Sequence, residues 1–233
     1  MAVPCANLCV RSESPEARVR PLSPGRPENL LLSNEGFLKL ADLGLAKHAE
    51  RAWTLVGTPE YVAPEVLRGE GATQAVDWWQ LGVLVFEMLA GRLPFESDTD
   101  TDLFVAIRKG SYEWPGPDGK KIALPSETVK DLVSCLLRQA LPGDEDFEPS
   151  SEEAGLPRLG SSGGDAREVM DHPWFSGVDW AALAVGEVPV PFVPQLQSED
   201  DDSNFGPLQW RGKPIRGEHE YDNEAWGAFF SGW

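Results

Sequence analysis

The longest run of hydrophobic positions lies between Val76 and Leu89, where VDWWQLGVLVFEML is apolar on nearly every side. A helix that is hydrophobic all round is buried in the middle of a domain, and this one is too short to cross a bilayer. Asp77 stands at its start, where a carboxylate can cap free N–H groups, and Gly91 and Pro94 end it. The pattern predicts the central helix of a helical domain.

Shorter periodic patterns surround this helix. Three of them predict helices at residues 102–109, 126–137 and 165–170. Upstream, two apolar runs at residues 30–32 and 37–40 are separated by Ser-Asn-Glu-Gly, which predicts two short strands joined by a glycine-ended turn. The predicted fold is therefore mainly α-helical, a bundle around one buried helix with a short β-hairpin at one edge.

Both ends of the chain and one internal stretch lack such periodicity. Residues 1–25 are rich in Pro, Arg and Ser, which predicts an irregular leader. Residues 141–157 are acidic and poor in apolar side chains, which predicts a flexible insertion. After Trp180 the chain becomes Pro-rich and acidic, so residues 181–233 are expected to form an extended tail. The domain itself is expected over about residues 26–180.

Composition narrows the possible partners and compartments. The 233 residues are 41% hydrophobic, which allows a real core, and the net charge of −18 disfavours nucleic acid and anionic membranes and favours basic peptides. No segment has the length of a membrane span, and the start lacks the regions of a signal peptide. Cys5, Cys9 and Cys135 are too few and too scattered for a disulfide framework, and Cys5 and Cys9 have no nearby second ligand pair to complete a zinc site. The expected location is the cytoplasm.

Two oxygen-bearing residues flank the predicted hairpin. Asn29 precedes the first strand and Asp42 follows the second, so the hairpin would bring an amide oxygen and a carboxylate side by side. Magnesium takes few protein oxygens and completes its shell with water and phosphate, which such a pair suits. The spacing alone also allows a simpler interpretation, in which both residues only form turns.

A series of short motifs extends this pair. The series comprises Pro-Glu-Asn ending at Asn29, Asp-Leu-Gly from Asp42, Gly-Thr-Pro-Glu-Tyr at 57–61, Ala-Pro-Glu at 63–65 and Asp-Trp-Trp-Gln-Leu-Gly from Asp77. In this order it resembles the large lobe of eukaryotic protein kinases. WTLVGTPEYVAPE and the later HPWF are similar to the cyclic-nucleotide-dependent serine/threonine kinases of the AGC group. The resemblance covers about residues 26–233, tail included.

The resemblance implies a nucleotide site for MgATP. Asn29 and Asp42 match the residues that hold the two magnesium ions. Leu31, on the strand between them, matches the residue that packs under the adenine. Phe205 matches a tail residue that passes near the nucleotide.

The resemblance also implies protein substrates with basic sequences. Three acidic residues, Glu28, Glu60 and Glu87, match positions that receive arginines preceding the phosphorylated residue, although a plain solvent-facing role stays open for Glu87. The other implied substrate contacts are Thr58, which selects serine or threonine, and the apolar pocket of Leu55, Pro59 and Val62. A kinase regulatory subunit or domain is a further implied partner.

Regulatory and structural roles follow from the same alignment of motifs. Thr54 matches the activation-loop phosphothreonine, with Lys47 as its evident partner in this stretch. Glu65 is expected to form an ion pair with Arg158, just beyond the acidic insertion. Asp77 is expected to brace the catalytic loop by accepting backbone N–H groups.

The chain departs from the kinase pattern ahead of Asn29. Pro24 occupies the position of the catalytic aspartate, and loss of a general base costs about 10²–10⁴-fold in rate. Too few residues precede Asn29 to build the small lobe, so MgATP binding is expected to be weak or absent. No catalytic residue is intact on this basis, and the chain alone is expected to be catalytically incompetent.

Two alternatives to an active kinase remain at this point. A substrate groove without chemistry could act as a binding module, a pseudokinase fragment that sequesters basic peptides or a kinase regulatory partner. The chain could also be a fragment that does not fold alone. None of His48, His172 and His219 is assigned a catalytic role, and His172 is expected to pack at a helix end.

Overall fold

The computed structural model describes residues 27–41, 59–115, 125–139, 156–162, 166–198, 201 and 203–205. These ranges contain strands β1 (Leu30–Leu32) and β2 (Leu38–Leu40) and helices α1 (Pro64–Leu67), α2 (Ala75–Ala90), α3 (Asp100–Lys109), α4 (Glu127–Leu136), α5 (Ala166–Met170) and α6 (Trp180–Val185). Single turns of 3-10 helix lie at Pro27–Asn29, Pro59–Tyr61 and Pro173–Phe175. The chain divides into two compact units, residues 1–194 and 195–233. Within the described ranges, every helix is too short or too polar to cross a membrane.

Strands β1 and β2 form the predicted hairpin. They pair antiparallel with Leu30 opposite Leu40, and the second strand begins one residue later than the sequence predicts. The hydroxyl of Ser33 accepts a hydrogen bond from the Phe37 N–H at 3.1 Å, and Gly36 takes the left-handed backbone conformation that closes the turn. The turn therefore has its own local hydrogen bonds, which set the register of the strands.

Helix α2 is the buried central helix, and it extends one residue beyond the prediction at each end. Trp79, Val83 and Phe86 are fully buried, and the helix ends at Gly91 in the left-handed conformation. Because α2 begins at Ala75, Asp77 lies inside its first turn. The expected position of Asp77 at the helix cap is therefore wrong, since the cap position belongs to Gln74.

The three shorter predicted helices are present, and each of the two longer ones has a side-chain cap. Thr99 caps α3 by accepting from the Asp102 N–H, and Ser126 caps α4 by accepting from the Val129 N–H. Helix α4 packs closely on α2 at Gly82. A β-carbon on Gly82 would lie 2.8 Å from Leu137 and 2.9 Å from Leu136.

Two helices were not predicted. Helix α1 is a single turn that starts at a proline, and α6 is six residues long, so neither is long enough to repeat a hydrophobic period twice. Asp179 caps α6 by accepting from the Ala182 N–H at 2.9 Å, and Gly186 ends it. The expectation that the extended tail begins directly after Trp180 is therefore wrong by about one and a half turns of helix.

The segment after α6 lies against the turn of the hairpin. A β-carbon on Gly36 would collide with the backbone oxygen of Phe192 and would touch the side chain of Val190. One on Gly186 would contact the ring of Phe37. The absence of a side chain at Gly36 thus lets two distant parts of the first unit approach at backbone distance.

Glu65 and Arg158, which are 93 positions apart, form a buried bidentate ion pair. The two guanidinium nitrogens donate to the two carboxylate oxygens at 2.6 and 2.9 Å, and the side chains are 7% and 0% exposed. Arg158 also donates to the backbone oxygens of Ala75 and Arg138. Its guanidinium lies 5.1 Å from the centre of the Trp79 ring. The pair therefore joins α1 to the start of α2 and to the end of α4.

Burial and ion pairing act in opposite directions on Glu65. Burial is the largest single cause and raises the pKa of its carboxyl group, but the charge and hydrogen bonds of Arg158, with a backbone hydrogen bond and the charge of Arg68, together lower it below the ordinary value of 4.5. A carboxylate with a depressed folded-state pKa stabilises the fold above its unfolded-state pKa. That contribution is lost as the pH falls through the folded-state pKa.

The close contact at Gly82 predicts a stability change for Gly82→Ala. The added methyl group would overpack the interface of α2 and α4, and we expect the free energy of unfolding to fall by about 1–3 kcal/mol in urea denaturation. Gly177→Ala is the matched control, since a β-carbon there meets nothing within 4 Å. Equal stability of the two variants would contradict the packing described.

The ion pair predicts a specific pH dependence. At pH 7, Glu65→Gln leaves the Arg158 charge buried without its partner, and we expect a loss of about 3–5 kcal/mol. The gap in unfolding free energy between the original chain and the variant should shrink as the pH falls below 4.5. Urea denaturation between pH 7 and pH 3 measures this, with Glu127→Gln as an exposed control that should keep the original profile. A gap that is constant across this range would show that the pKa of Glu65 is not lowered in the fold.

Candidate nucleotide and substrate site

The open end of the hairpin is the candidate nucleotide edge. The Ala41 N–H donates to the backbone oxygen of Asn29 at 2.8 Å, so Asn29 lies beside the residue that leads directly to Asp42. Asp42 itself is outside the described residues. Of the two predicted magnesium ligands, Asn29 alone is among the described residues. Leu31 is 40% exposed on the intervening strand, so its side chain is available to a ligand.

The candidate tail contact lies in the second unit of the chain. Phe205 is 65% exposed. A local turn precedes it, in which the exposed carboxylate of Asp201 accepts from the backbone N–H groups of Gln197 and Ser203. A hydrogen bond from the Ser203 side chain is the largest cause that lowers the pKa of the Asp201 carboxyl group, and the two backbone hydrogen bonds lower it further. The second unit thus has an ordered turn next to Phe205.

The Tyr61 hydroxyl connects residues 59–65, called the motif segment, to the central helix α2. Tyr61 is 3% exposed, and its O–H donates to the carboxylate of Glu87 on α2. A buried tyrosine hydroxyl needs a polar partner, and Glu87 supplies it. Glu87 is only partly buried, so its carboxylate combines a structural bond with access to solvent. A purely solvent-facing role for Glu87 is therefore excluded.

Glu60 precedes Tyr61 and carries an unusual oxygen. Its Oε2 atom is buried and has no hydrogen-bond partner among the described residues. Desolvating a carboxylate oxygen without a donor is costly, and a cationic ligand that donates a hydrogen bond removes that cost. Glu60 is next in the chain to Tyr61, which bonds to Glu87, so the segment that carries Glu60 is attached to α2 at that point.

The remaining predicted pocket residues differ in exposure. Pro59 is partly buried, and Val62 is 8% exposed with its N–H donating to the Pro59 carbonyl oxygen at 3.1 Å. Val62 therefore belongs mostly to the core of the first unit. Asp77 lies in the first turn of α2, while residues 22–26 of the loop that it was expected to brace are outside the described residues.

Several predicted site residues cannot be placed because they lie outside the described residues. They are Pro24, Asp42, Lys47, Thr54, Leu55 and Thr58, together with the side chain of Glu28. Their roles stay predictions. The structure does bring Glu65 and Arg158 together. It also joins Glu87 to Tyr61, which follows Glu60, and Asn29 to Ala41, which precedes Asp42.

The Tyr61 contact was not identified from the sequence, although a signal for it exists. Tyr61 is the last residue of the Gly-Thr-Pro-Glu-Tyr motif and precedes two apolar residues. A tyrosine in that setting is expected to be buried with a partner for its hydroxyl group. The identity of that partner, 26 positions away on α2, requires the fold.

Comparison with known proteins agrees with these features. Residues 26–175 match the protein kinase domain family. Over 181 residues the chain is 39% identical to the human cAMP-dependent protein kinase catalytic subunit PRKX, and this alignment covers 77% of this chain and 45% of PRKX. The chain is 40% identical over 182 residues to the cAMP-dependent protein kinase catalytic subunit of Dictyostelium discoideum, and that alignment covers 77% of this chain and 25% of the relative.

A third relative, serine/threonine-protein kinase N2 of Danio rerio, is 40% identical over 182 residues, covering 76% of this chain and 16% of that protein. The chain thus spans less than half the length of each of these relatives. The family match covers well over half of the chain, and the relatives are AGC kinases. The chain therefore belongs to the protein kinase domain family, and its similarities are to the serine/threonine kinases of the AGC group.

Proposed function

We propose that residues 26–180 are the large lobe of a serine/threonine protein kinase and residues 181–233 its C-terminal tail, with residues 141–157 as an acidic insertion. The parent activity is transfer of the γ-phosphoryl group of MgATP to serine or threonine in basic protein sequences. The observation that carries the substrate class is the buried oxygen of Glu60, which has no partner among the described residues and precedes Tyr61 in the chain. Cytoplasmic location is part of the proposal and rests on the cysteine usage.

Substrate recognition follows from charge. Glu60 and Glu87 would receive arginine side chains of the substrate, and Glu28 would add a third carboxylate. Arginine forms bidentate, charge-assisted hydrogen bonds with carboxylates, which makes it the best match to an acceptor-only surface. Thr58, with Leu55, Pro59 and Val62, would complete the contact around the phosphorylated residue. The net charge of −18 adds a long-range attraction for basic partners, including a regulatory subunit or domain.

The proposed nucleotide contacts use the hairpin. Asn29 and Asp42 would hold magnesium through oxygen atoms, Leu31 would pack under the adenine, and Phe205 would approach the nucleotide from the tail. When bound, MgATP supplies the phosphoryl group, with its metal neutralising the phosphate charge. Thr54 would be the regulatory phosphorylation site, with its phosphate paired to Lys47.

Catalytic incompetence of the 233-residue chain is a separate part of the proposal. A proline has no side-chain acceptor, so Pro24 cannot take the proton of the substrate hydroxyl group as the family's aspartate does. A second candidate function, a binding module for basic peptides, shares the acidic surface and requires no chemistry. The unpartnered Glu60 oxygen supports both functions equally, so activity and binding are measured separately.

We expect no phosphoryl transfer from the purified chain. Incubation with MgATP and an arginine-rich serine peptide should give incorporation indistinguishable from that of Asp42→Ala, in a preparation free of other kinases. Incorporation by the chain that Asp42→Ala abolishes would contradict the incompetence and support an active kinase. Such activity would leave the proposal for the substrate-binding surface unchanged, because that proposal concerns binding and not catalysis.

We expect saturable binding of an arginine-rich peptide in a calorimetric or fluorescence titration. Glu60→Gln removes a charge-assisted hydrogen bond and should weaken binding by about tenfold or more at low salt. Glu127→Gln removes an equally negative side chain that is exposed and paired with Lys130 on α4, and it should leave the affinity nearly unchanged. Equal weakening by the two variants would mean that only net charge matters and would refute a specific site at Glu60.

A further inference from the structure

Three chemically different metal ligands meet at the contact between α4 and the segment before the last 3-10 helix. One donor atom each from Asp131, Cys135 and His172 lies within 4.8 Å of the other two. Asp131 and Cys135 are one helical turn apart on α4, so both side chains lie on the same face. His172 precedes the 3-10 helix Pro173–Phe175, and its Nε2 atom is 3.2 Å from Asp131 Oδ2.

The separation between the His172 and Asp131 donor atoms suits a tetrahedral zinc ion. Zinc binds cysteine sulfur at about 2.3 Å and histidine nitrogen or carboxylate oxygen at about 2.0–2.2 Å, which separates neighbouring nitrogen and oxygen ligands by about 3.3 Å. The observed 3.2 Å between Nε2 and Oδ2 fits such an edge. A thiolate and an imidazole also select zinc over magnesium or calcium, which prefer oxygen alone.

Exposure changes across the cluster in a way that allows an ion to enter. The His172 side chain is 6% exposed, Cys135 is half-buried, and the Asp131 side chain is 63% exposed. Three protein ligands with an open side leave the fourth position of a tetrahedron for water. We propose that Asp131, Cys135 and His172 bind one zinc ion, which would join α4 to residues 172–175.

Binding requires two changes in protonation, and together they release one proton. The Cys135 thiol, whose pKa is raised by burial, must lose its proton to solvent when the sulfur binds the metal. Arg138 lies 3.6 Å from this sulfur and favours the thiolate form. In the metal-free protein, His172 Nδ1 accepts from the Trp174 N–H, so Nε2 carries the ring proton.

Metal binding at Nε2 therefore moves the ring proton to Nδ1. The Trp174 N–H then loses its acceptor, and Nδ1 becomes a donor, as is usual for a histidine that binds zinc. This coupling opposes binding and limits the affinity. It also provides a signature that adventitious metal on the surface would not produce, which is a change at the Trp174 backbone amide.

The test uses the full chain with Cys5→Ser and Cys9→Ser, so that Cys135 is the remaining thiol. Cobalt(II) serves as a coloured probe for zinc. We expect one equivalent to produce thiolate-to-cobalt charge-transfer absorption, zinc to displace it, and the Trp174 amide resonance to shift. At a hundredfold excess over its dissociation constant, zinc should raise the melting temperature by about 5 °C or more.

Variants distinguish metal binding at these three ligands from unspecific metal binding elsewhere on the chain. Cys135→Ser should abolish the absorption, and Asp131→Asn should weaken binding about tenfold or more. Glu127→Gln, on the same helix but outside the cluster, should bind as the parent does. No charge-transfer absorption in the parent, absorption that persists in Cys135→Ser, or a Trp174 amide that does not shift would each overturn the proposal. Asp131 and Cys135 are partly or fully exposed, so their variants are expected to stay folded, which circular dichroism checks.

Discussion

The buried Arg158 guanidinium requires hydrogen-bond acceptors on every side, and the arrangement of the first unit provides them. Its nitrogens donate to both oxygens of Glu65 and to the backbone oxygens of Ala75 and Arg138. A guanidinium in such a site is tolerable only when its donors are satisfied and its charge is balanced. The end of the motif segment, the start of α2 and the end of α4 are therefore held in one arrangement by a single side chain.

A second polar contact attaches the same segment farther along α2. Tyr61 bonds to Glu87, while the ion pair of Glu65 reaches the backbone of Ala75. These two attachment points are separated by about 18 Å along the helix, at 1.5 Å per residue. Glu60 directly precedes Tyr61 in the chain, so the bond from Tyr61 to Glu87 restrains the backbone that carries the Glu60 carboxylate.

The sequence predicted local elements well, because their signals are local. The hairpin follows from two apolar runs around Ser-Asn-Glu-Gly, and α2 from its long apolar run. Helix α6 was missed because six residues give too little periodicity, and its cap at Asp179 is an ordinary acidic residue in a loop. The ion pair between Glu65 and Arg158 was expected only through the resemblance to kinases. No pattern near either residue indicates a partner 93 positions away.

Contacts between distant side chains were the least predictable features of the candidate sites. Cys135 was considered only as a scattered cysteine, and His172 only as a packing residue. Their approach to Asp131 depends on how the 3-10 helix Pro173–Phe175 packs on α4, which no local spacing encodes. The Tyr61–Glu87 bond has the same origin. Of the two proposed magnesium ligands, Asn29 has a position in the structure, next to Ala41 at the open end of the hairpin. Asp42 lies outside the described residues.

The most direct test of the account is a double-mutant cycle between Glu65 and Arg158, measured by urea denaturation at pH 7. We expect Glu65→Gln and Arg158→Met each to be strongly destabilising. The loss in the double variant should be smaller than the sum of the two single losses by about 2–3 kcal/mol. Such coupling would mean that each residue's main role is to balance the other's buried charge. Additive losses within about 0.5 kcal/mol would contradict the claim that this pair holds the motif segment, α2 and α4 together.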